Sequence, residues 1–226
     1  MLTTGNESKE KCEIKKIPMR NPFKGEEILK SAKSMKNNKA VGIDDMAAEY
    51  IKYGDDELCQ QIAELLNETA ETGNYPKELR IGILTPLPKS GKKSKPKDQS
   101  HLRPIILLST LRKILAITML NRIWNRLSTK IPKDQAAYQS GRSTTEQIFA
   151  IKLLVEKAIT SDSYKIYLLM LDMSKAFDTV TREKLLDLLA EILEDDELNM
   201  LKILINDVAY LVKVKQTLGE EILTEI

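Results

Sequence analysis

Apolar positions along the chain fall into helical stripes and short alternating runs. In "DDELCQQIAELLNETAETGNYP", Leu58, Ile62, Leu65, Leu66 and Thr69 recur at helical spacing and make one face. Asp55 or Asp56 can cap its start, and Gly73 and Pro76 mark its end. Upstream, "GEEILKSAKSMKNNK" reads as a short helix ending at the Asn pair. "KAVGIDDMAAEYIKYG" reads as a turn and another short helix closed by Gly54. Apolar residues alternate at 79, 81 and 83 in "LRIGILTPLP", which predicts a strand. "LRPIILLS" predicts a second, with Pro104 at an edge or strand start, so the two make a hairpin. "TLRKILAITMLNRIWNRLSTK" predicts a long helix with Leu111, Ile114, Leu115, Thr118, Ile123 and Leu127 inward and Arg122 and Arg126 on a shared face. "TTEQIFAIKLLVEKAITS" predicts another helix, "KIYLLMLDMS" a buried strand, and "TREKLLDLLAEIL" and "DELNMLKILINDVAYL" two further helices. "VKVKQT" alternates as the start of a last strand. This order predicts an α+β fold, mostly helical with a small antiparallel sheet.

Composition changes this picture mainly through charge. Net charge is only +2, but residues 181–226 hold five basic and eleven acidic side chains, leaving thirty basic and twenty-two acidic before Thr181. That earlier surplus suits a polyanionic partner. Cys12, Cys59 and His101 are too few for a disulfide framework or a zinc finger, which points to a reducing compartment. The polar start "MLTTGNESKEKCEIKK" does not read as a signal peptide, and no apolar run has membrane-spanning length. The expected location is intracellular, nuclear or cytoplasmic, with no membrane partner.

Two stretches carry candidate chemistry. In "YLLMLDMSKAFDTV", Asp172 closes an apolar run. A lone buried carboxylate is costly, so it calls for a cation, a metal or several N–H donors. A plain alternative is helix capping, with Asp178 or Thr181 starting the next helix. An aspartyl phosphatase nucleophile would want a second Asp two residues on, where Ser174 stands. The second stretch, between the hairpin strands, holds Lys89, Lys92, Lys93, Lys95, Lys97 and Arg103 against Asp98. It reads either as a solvated tip or as a set of phosphate contacts. Lys89 and Arg103 lie at the strand ends, where they are held more firmly. Gly91-Lys92 lacks the upstream glycine of a P-loop. Aromatics make up 5 % of the chain and form no series for stacking bases.

Four segments in order resemble the reverse transcriptases of non-LTR (LINE-type) retrotransposons. "NNKAVGIDDMAAEYIK" is similar to that family's "KAPGPDGI", and "LTPLPKSGK…HLRPIILLSTLRKILA" to its fingers segment "PKKG…RPISLLS…K". "DQAAYQSGRSTTEQI" resembles "QAGFRKGRSTTDQI", and "LDMSKAFDTVTREKLL" resembles the palm motif "DFSKAFDSVDH..LL". The resemblance implies fingers and an incomplete palm. An irregular arm would fill residues 1–24, a fingers-like region with the basic hairpin at 79–108 would fill 25–164, and a partial palm 165–226. It implies that Asp172 is the catalytic, metal-binding aspartate and that the Met173 carbonyl is a further Mg²⁺ ligand in two-metal phosphoryl transfer. It places Lys89 and Arg103 on the incoming triphosphate, with the backbone N–H groups of Lys175 and Ala176. Phe177 matches the aromatic gate that excludes a ribose 2′-hydroxyl. Lys92, Lys93, Lys95 and Lys97 are candidate nucleic-acid contacts. The implied partners are an RNA template, a DNA primer and dNTPs.

Departures from the family pattern qualify the activity. "AYQ" at 137–139 replaces "GFR", which changes backbone freedom at Ala137 and removes a cation at Gln139. The family continues to "GxxQG" and to a strand turn carrying Tyr-x-Asp-Asp, and the chain is expected to stop before both. Its Asp pairs at 44–45, 55–56 and 195–196 read as helix starts or loops. The catalytic aspartates of the Tyr-x-Asp-Asp turn are therefore expected to be lacking and the isolated chain inactive. A non-catalytic RNA- or DNA-binding module, or a functionless remnant of a degraded element, are the alternative readings.

Overall fold

The computed structural model describes residues 15–88, 102–160, 165–173, 176, 179–205, 208–214 and 217–223. They form two compact units, one of residues 1–123 with 186–226 and the other of residues 124–185.

The larger unit is built on helices. Helix α1 (Gly25–Ser34) packs against both the short α2 (Ala48–Lys52) and α3 (Asp56–Thr72). The start of α3 follows the capping expectation: the Asp55 side chain accepts the Leu58 N–H at 2.9 Å. Its end is equally local, with Gly73 left-handed at φ 71° and its N–H donated to the Thr69 carbonyl. The buried stripe is Cys59, Ile62, Ala63, Leu66, Thr69 and Ala70, slightly rotated from the expected one. A single turn, α4 (Lys77–Arg80), takes Leu79 out of the expected strand and buries it.

Strand β1 (Ile81–Pro88) pairs antiparallel with β2 (Leu102–Leu107), as the hairpin reading required. Helix α5 (Thr110–Ser128) follows, burying Ile114, Leu115, Thr118, Met119 and Ile123. After the second unit the chain returns through α8 (Asp195–Ile205), β3 (Ala209–Val214) and β4 (Thr217–Leu223). The sheet runs β2-β1-β3-β4. It is mixed rather than wholly antiparallel, because β3 lies parallel to β1 with Ile81 opposite Ala209. Parallel neighbours need a long crossover, which the intervening helices supply. The expected last helix ends earlier than its pattern suggested, and Ala209 and Tyr210 start β3 instead. Side chains of the irregular segment 15–24 and of α1, α3, α4, α5 and α8 share one core, with Phe23, Ile28, Leu66, Ile114, Leu115, Met119, Met200 and Ile203 among its most deeply buried members.

The smaller unit contains the last turn of α5, helix α6 (Thr144–Ile159) and the start of α7 (Arg182–Ala190). Ser143 caps α6, its hydroxyl accepting the Glu146 N–H at 3.3 Å. No α6 side chain is buried. The buried strand expected over "KIYLLMLDMS" does not form. Residues 165–173 have no regular structure, and the large apolar side chains from Ile166 to Met173 are 39–89 % exposed. A strand exists only as part of a ladder, and the described residues of this unit include no strand for it to pair with.

Candidate functional site

The predicted site residues divide between the units. Arg103 lies on the edge strand β2, exposed and opposite Leu87 of β1. Lys89, Lys92, Lys93, Lys95 and Lys97 lie outside the described residues, as do Lys175 and Phe177. Asp172, Met173 and Ala176 belong to the smaller unit, and all three are exposed. The buried strand-end setting expected for Asp172 is therefore replaced by an open one. Thr179 donates to the Ala176 carbonyl at 3.1 Å, and α7 begins directly after Thr181.

Among the described residues no group of three or more His, Cys, Asp or Glu side chains could hold a metal. One exposed carboxylate with one carbonyl does not hold Mg²⁺ against water. The described residues thus do not by themselves make up the two-ion site that the resemblance implies. The letters Tyr-x-Asp-Asp do occur, at Tyr53-Gly54-Asp55-Asp56. Their setting is a helix start: Asp55 caps α3, Asp56 is its first residue, and the Tyr53 hydroxyl accepts Asn37 Nδ2 at 2.8 Å. The tetrapeptide is no strand turn.

Two motif-bearing segments lock together in the larger unit. Asp44 Oδ2 accepts the Thr110 N–H at 3.2 Å, and the Thr110 hydroxyl donates to the Met46 carbonyl at 2.5 Å. Ser109 Oγ accepts the Arg112 N–H at 3.2 Å. "VGIDDM" and "LLST" thereby satisfy N–H groups at the start of α5 that have no partner within the helix. Gly42 makes the approach possible: a Cβ there would lie 2.6 Å from Ser109 Cα and 2.7 Å from Ser109 N. Burial pushes the pKa of the neighbouring Lys113 down, with Asp44 opposing it. The sequence marked both segments as motifs; their mutual contact had no local signal.

Two arginines of α5, Arg112 and Arg122, are held by the larger unit itself. Arg112 is buried, donates to the Leu79 carbonyl at 2.9 Å and to the Leu204 carbonyl, and sits 5.9 Å from the Tyr75 ring centre. It ties the ends of α4 and α8 to α5. Arg122 grips Glu27 with two hydrogen bonds, Nε at 2.9 Å and Nη2 at 2.6 Å. It also donates to the carbonyls of Asn21 and Pro22 and lies 4.3 Å from the Phe23 ring centre. Burial pushes the Glu27 carboxyl up, but Arg122 and Lys24 outweigh it and hold the pKa below its ordinary 4.5. These cations are spent on the fold.

In the "QAAYQSGRS" loop the left-handed residue is Tyr138, at φ 59°, followed by Gly141 at φ 76°. Backbone freedom at Ala137 is not what the turn uses.

Residues 90–220 match the sequence profile of the family described as reverse transcriptase (RNA-dependent DNA polymerase). The mostly helical α+β architecture with its small mixed sheet is consistent with the fingers and palm of that family. The chain belongs to the reverse transcriptase family. It is 30 % identical over 174 residues to the "Transposon TX1 uncharacterized 149 kDa protein" of Xenopus laevis, covering 77 % of this chain and 13 % of that protein. It is 25 % identical over 198 residues to a "Probable RNA-directed DNA polymerase from transposon BS" of Drosophila melanogaster, covering 87 % and 22 %. It is 28 % identical over 163 residues to an "RNA-directed DNA polymerase from mobile element jockey" of the same fly, covering 71 % and 18 %. The chain spans about a fifth or less of the length of these relatives. No described helix is long and apolar enough to cross a membrane.

Proposed function

We propose that this chain is the fingers and partial palm of a non-LTR retrotransposon RNA-directed DNA polymerase, at work inside a longer polypeptide and unable to extend a primer alone. The observation that carries this reading is the set of four motif-like segments in the family's order, the last three of which overlap the matched residues 90–220. Relatives named as RNA-directed DNA polymerases of mobile elements support it.

In this reading an RNA template, a DNA primer and a dNTP are bound inside the cell. Arg103 with Lys89 holds the triphosphate, the N–H groups of Lys175 and Ala176 face it, and Phe177 gates the sugar. Lys92, Lys93, Lys95 and Lys97 meet nucleic-acid phosphates. Asp172 and the Met173 carbonyl would contribute to a Mg²⁺ site whose other ligands the described residues do not supply. That ion would neutralise charge on the transferring phosphoryl group.

What supports the expected inactivity is the setting of the carboxylates. Asp172 stands apart from any described ligand cluster, and the Tyr53–Asp56 tetrapeptide is occupied in capping α3. Primer extension on poly(rA)–oligo(dT) with dTTP and Mg²⁺ tests this. The chain should give no product, and measurable extension would overturn the inactivity.

A further inference from the structure

The β1–β2 register sets two prolines directly opposite each other, Pro86 and Pro104. Opposed residues of an antiparallel ladder either exchange N–H···O bonds or turn those groups away from each other, and the two kinds alternate. Neither proline has an N–H, so this pair is of the second kind. The alternation then assigns the rest of the ladder. Ile83, Thr85 and Leu87 bond to Leu107, Ile105 and Arg103. Leu84 and Pro86 turn their backbone groups toward β3, and Leu102, Pro104 and Ile106 turn theirs to the outer side of β2.

Proline interrupts both of these rows. On the inner side, β1 pairs with β3 only from Ile81 opposite Ala209 to Leu84 opposite Val212. Strand β3 runs on to Val214, which pairs with Thr217 of β4. The same register continued would set Val214 against Pro86, where β1 has no N–H to give. On the outer side, β2 is an edge among the described strands, and Pro104 removes the middle donor of its outward row. Beyond Leu84 the hairpin is therefore a two-stranded ribbon, Thr85 to Pro88 with Leu102 to Ile105. Its apolar side chains are open to solvent, with Leu87 47 % and Ile105 43 % exposed. An exposed apolar edge invites a further strand.

The strand that such an edge can always meet is its own copy in a second molecule. Two β2 strands laid antiparallel about position 104 would set Leu102 against Ile106 at both ends, each pair with its outward N–H groups. The centre would be proline against proline, and that pair can make no bond. We propose that Pro86 and Pro104 are a matched pair of strand stops. They keep the far half of the β1–β2 hairpin two-stranded, closed to β3 on one side and to β2 of a second copy on the other. Arg103 lies on this half, so under the functional reading above the stops keep its strand unpaired. The test does not depend on that reading.

The test is residue-resolved amide hydrogen exchange on the full chain at low and high protein concentration. In the parent, the Ile106 amide should exchange at one rate at both concentrations. Pro104→Val should slow that exchange as concentration rises, since the recovered central bonds strengthen association about 10- to 100-fold. Pro104→Thr repeats the measurement should the valine variant not fold. In Pro86→Val, the new amide at position 86 should be protected at every concentration, because its partner is β3 of the same chain. Association through another surface leaves the Ile106 amide unchanged and so does not mimic the effect. Concentration-dependent protection of Ile106 in the parent would overturn the proposal, because the edge would then take a strand despite Pro104. Unchanged exchange in the position-104 variants, or an unprotected amide at position 86, would overturn it equally.

Discussion

Replacing Arg122 by Ala removes one guanidinium that joins three separate parts of the larger unit. It gives up the fork on Glu27, the hydrogen bonds to Asn21 and Pro22, and the face of Phe23. Removing one member of a buried pair costs about 3–5 kcal/mol, largely because the other charge is stranded. Arg122 is 10 % exposed and Glu27 33 %, so water partly rescues the carboxylate and the lower end applies, about 3 kcal/mol. For a chain of this size that corresponds to roughly 6–12 °C in Tm. Arg122→Lys keeps the charge but loses the two-pronged geometry and should cost about half as much. The pair also sets an acid dependence. Because the Glu27 pKa is held below 4.5, its contribution is complete above that value and lost as the pH falls through the folded pKa. Arg122→Ala should therefore lose less stability than the parent between about pH 5 and pH 3. Urea unfolding followed by circular dichroism, with Glu27→Gln completing a double-mutant cycle, measures these terms. A loss below about 1 kcal/mol for Arg122→Ala, or simple additivity with Glu27→Gln, would refute the reasoning.

Gly42→Ala should destabilise by about 1–3 kcal/mol, because the atoms its Cβ would meet are the Ser109 backbone and the Leu108 carbonyl, which cannot swing aside. An unchanged urea midpoint would show that the two segments are not in close contact. Tyr75→Phe should be neutral or stabilising by up to about 1 kcal/mol, since the buried hydroxyl has no hydrogen-bond partner among the described residues. The parent should also lose stability as pH rises between 10 and 12, because burial pushes the Tyr75 pKa up to about 12 against Arg112 and Arg80, and this loss should vanish in Tyr75→Phe. Matching alkaline unfolding curves for the two proteins would contradict that.

What the sequence revealed depended on how local the physics was. The cap at Asp55 and the stop at Gly73 involve groups within one turn, and both were readable. The pairing of β1 with β2 followed from alternation on either side of one loop. Pairing of β1 with β3 did not, because Ile81 and Ala209 are brought together only by the helices between them. The arginines show the same limit. Periodicity put Arg122 and Arg126 on one face of α5, but it cannot tell a face turned to solvent from one meeting Glu27 and the carbonyls before α1.

The stretch 166–173 separates two properties that sequence pattern treats as one. An apolar run states what burial would favour; it does not supply the ladder that makes a strand. Burial of Asp172 is expected only because the residues before it form an apolar run, so once that run is exposed the expected buried setting goes with it. The family assignment survives because it rests on the order of several motifs and on the match over residues 90–220, not on the strand. The letters Tyr-Gly-Asp-Asp at 53–56 make the converse point: a sequence can spell a catalytic turn where the backbone builds a helix cap. In this chain a motif's neighbours and its order identify the lineage, while the backbone around it decides whether the chemistry can follow.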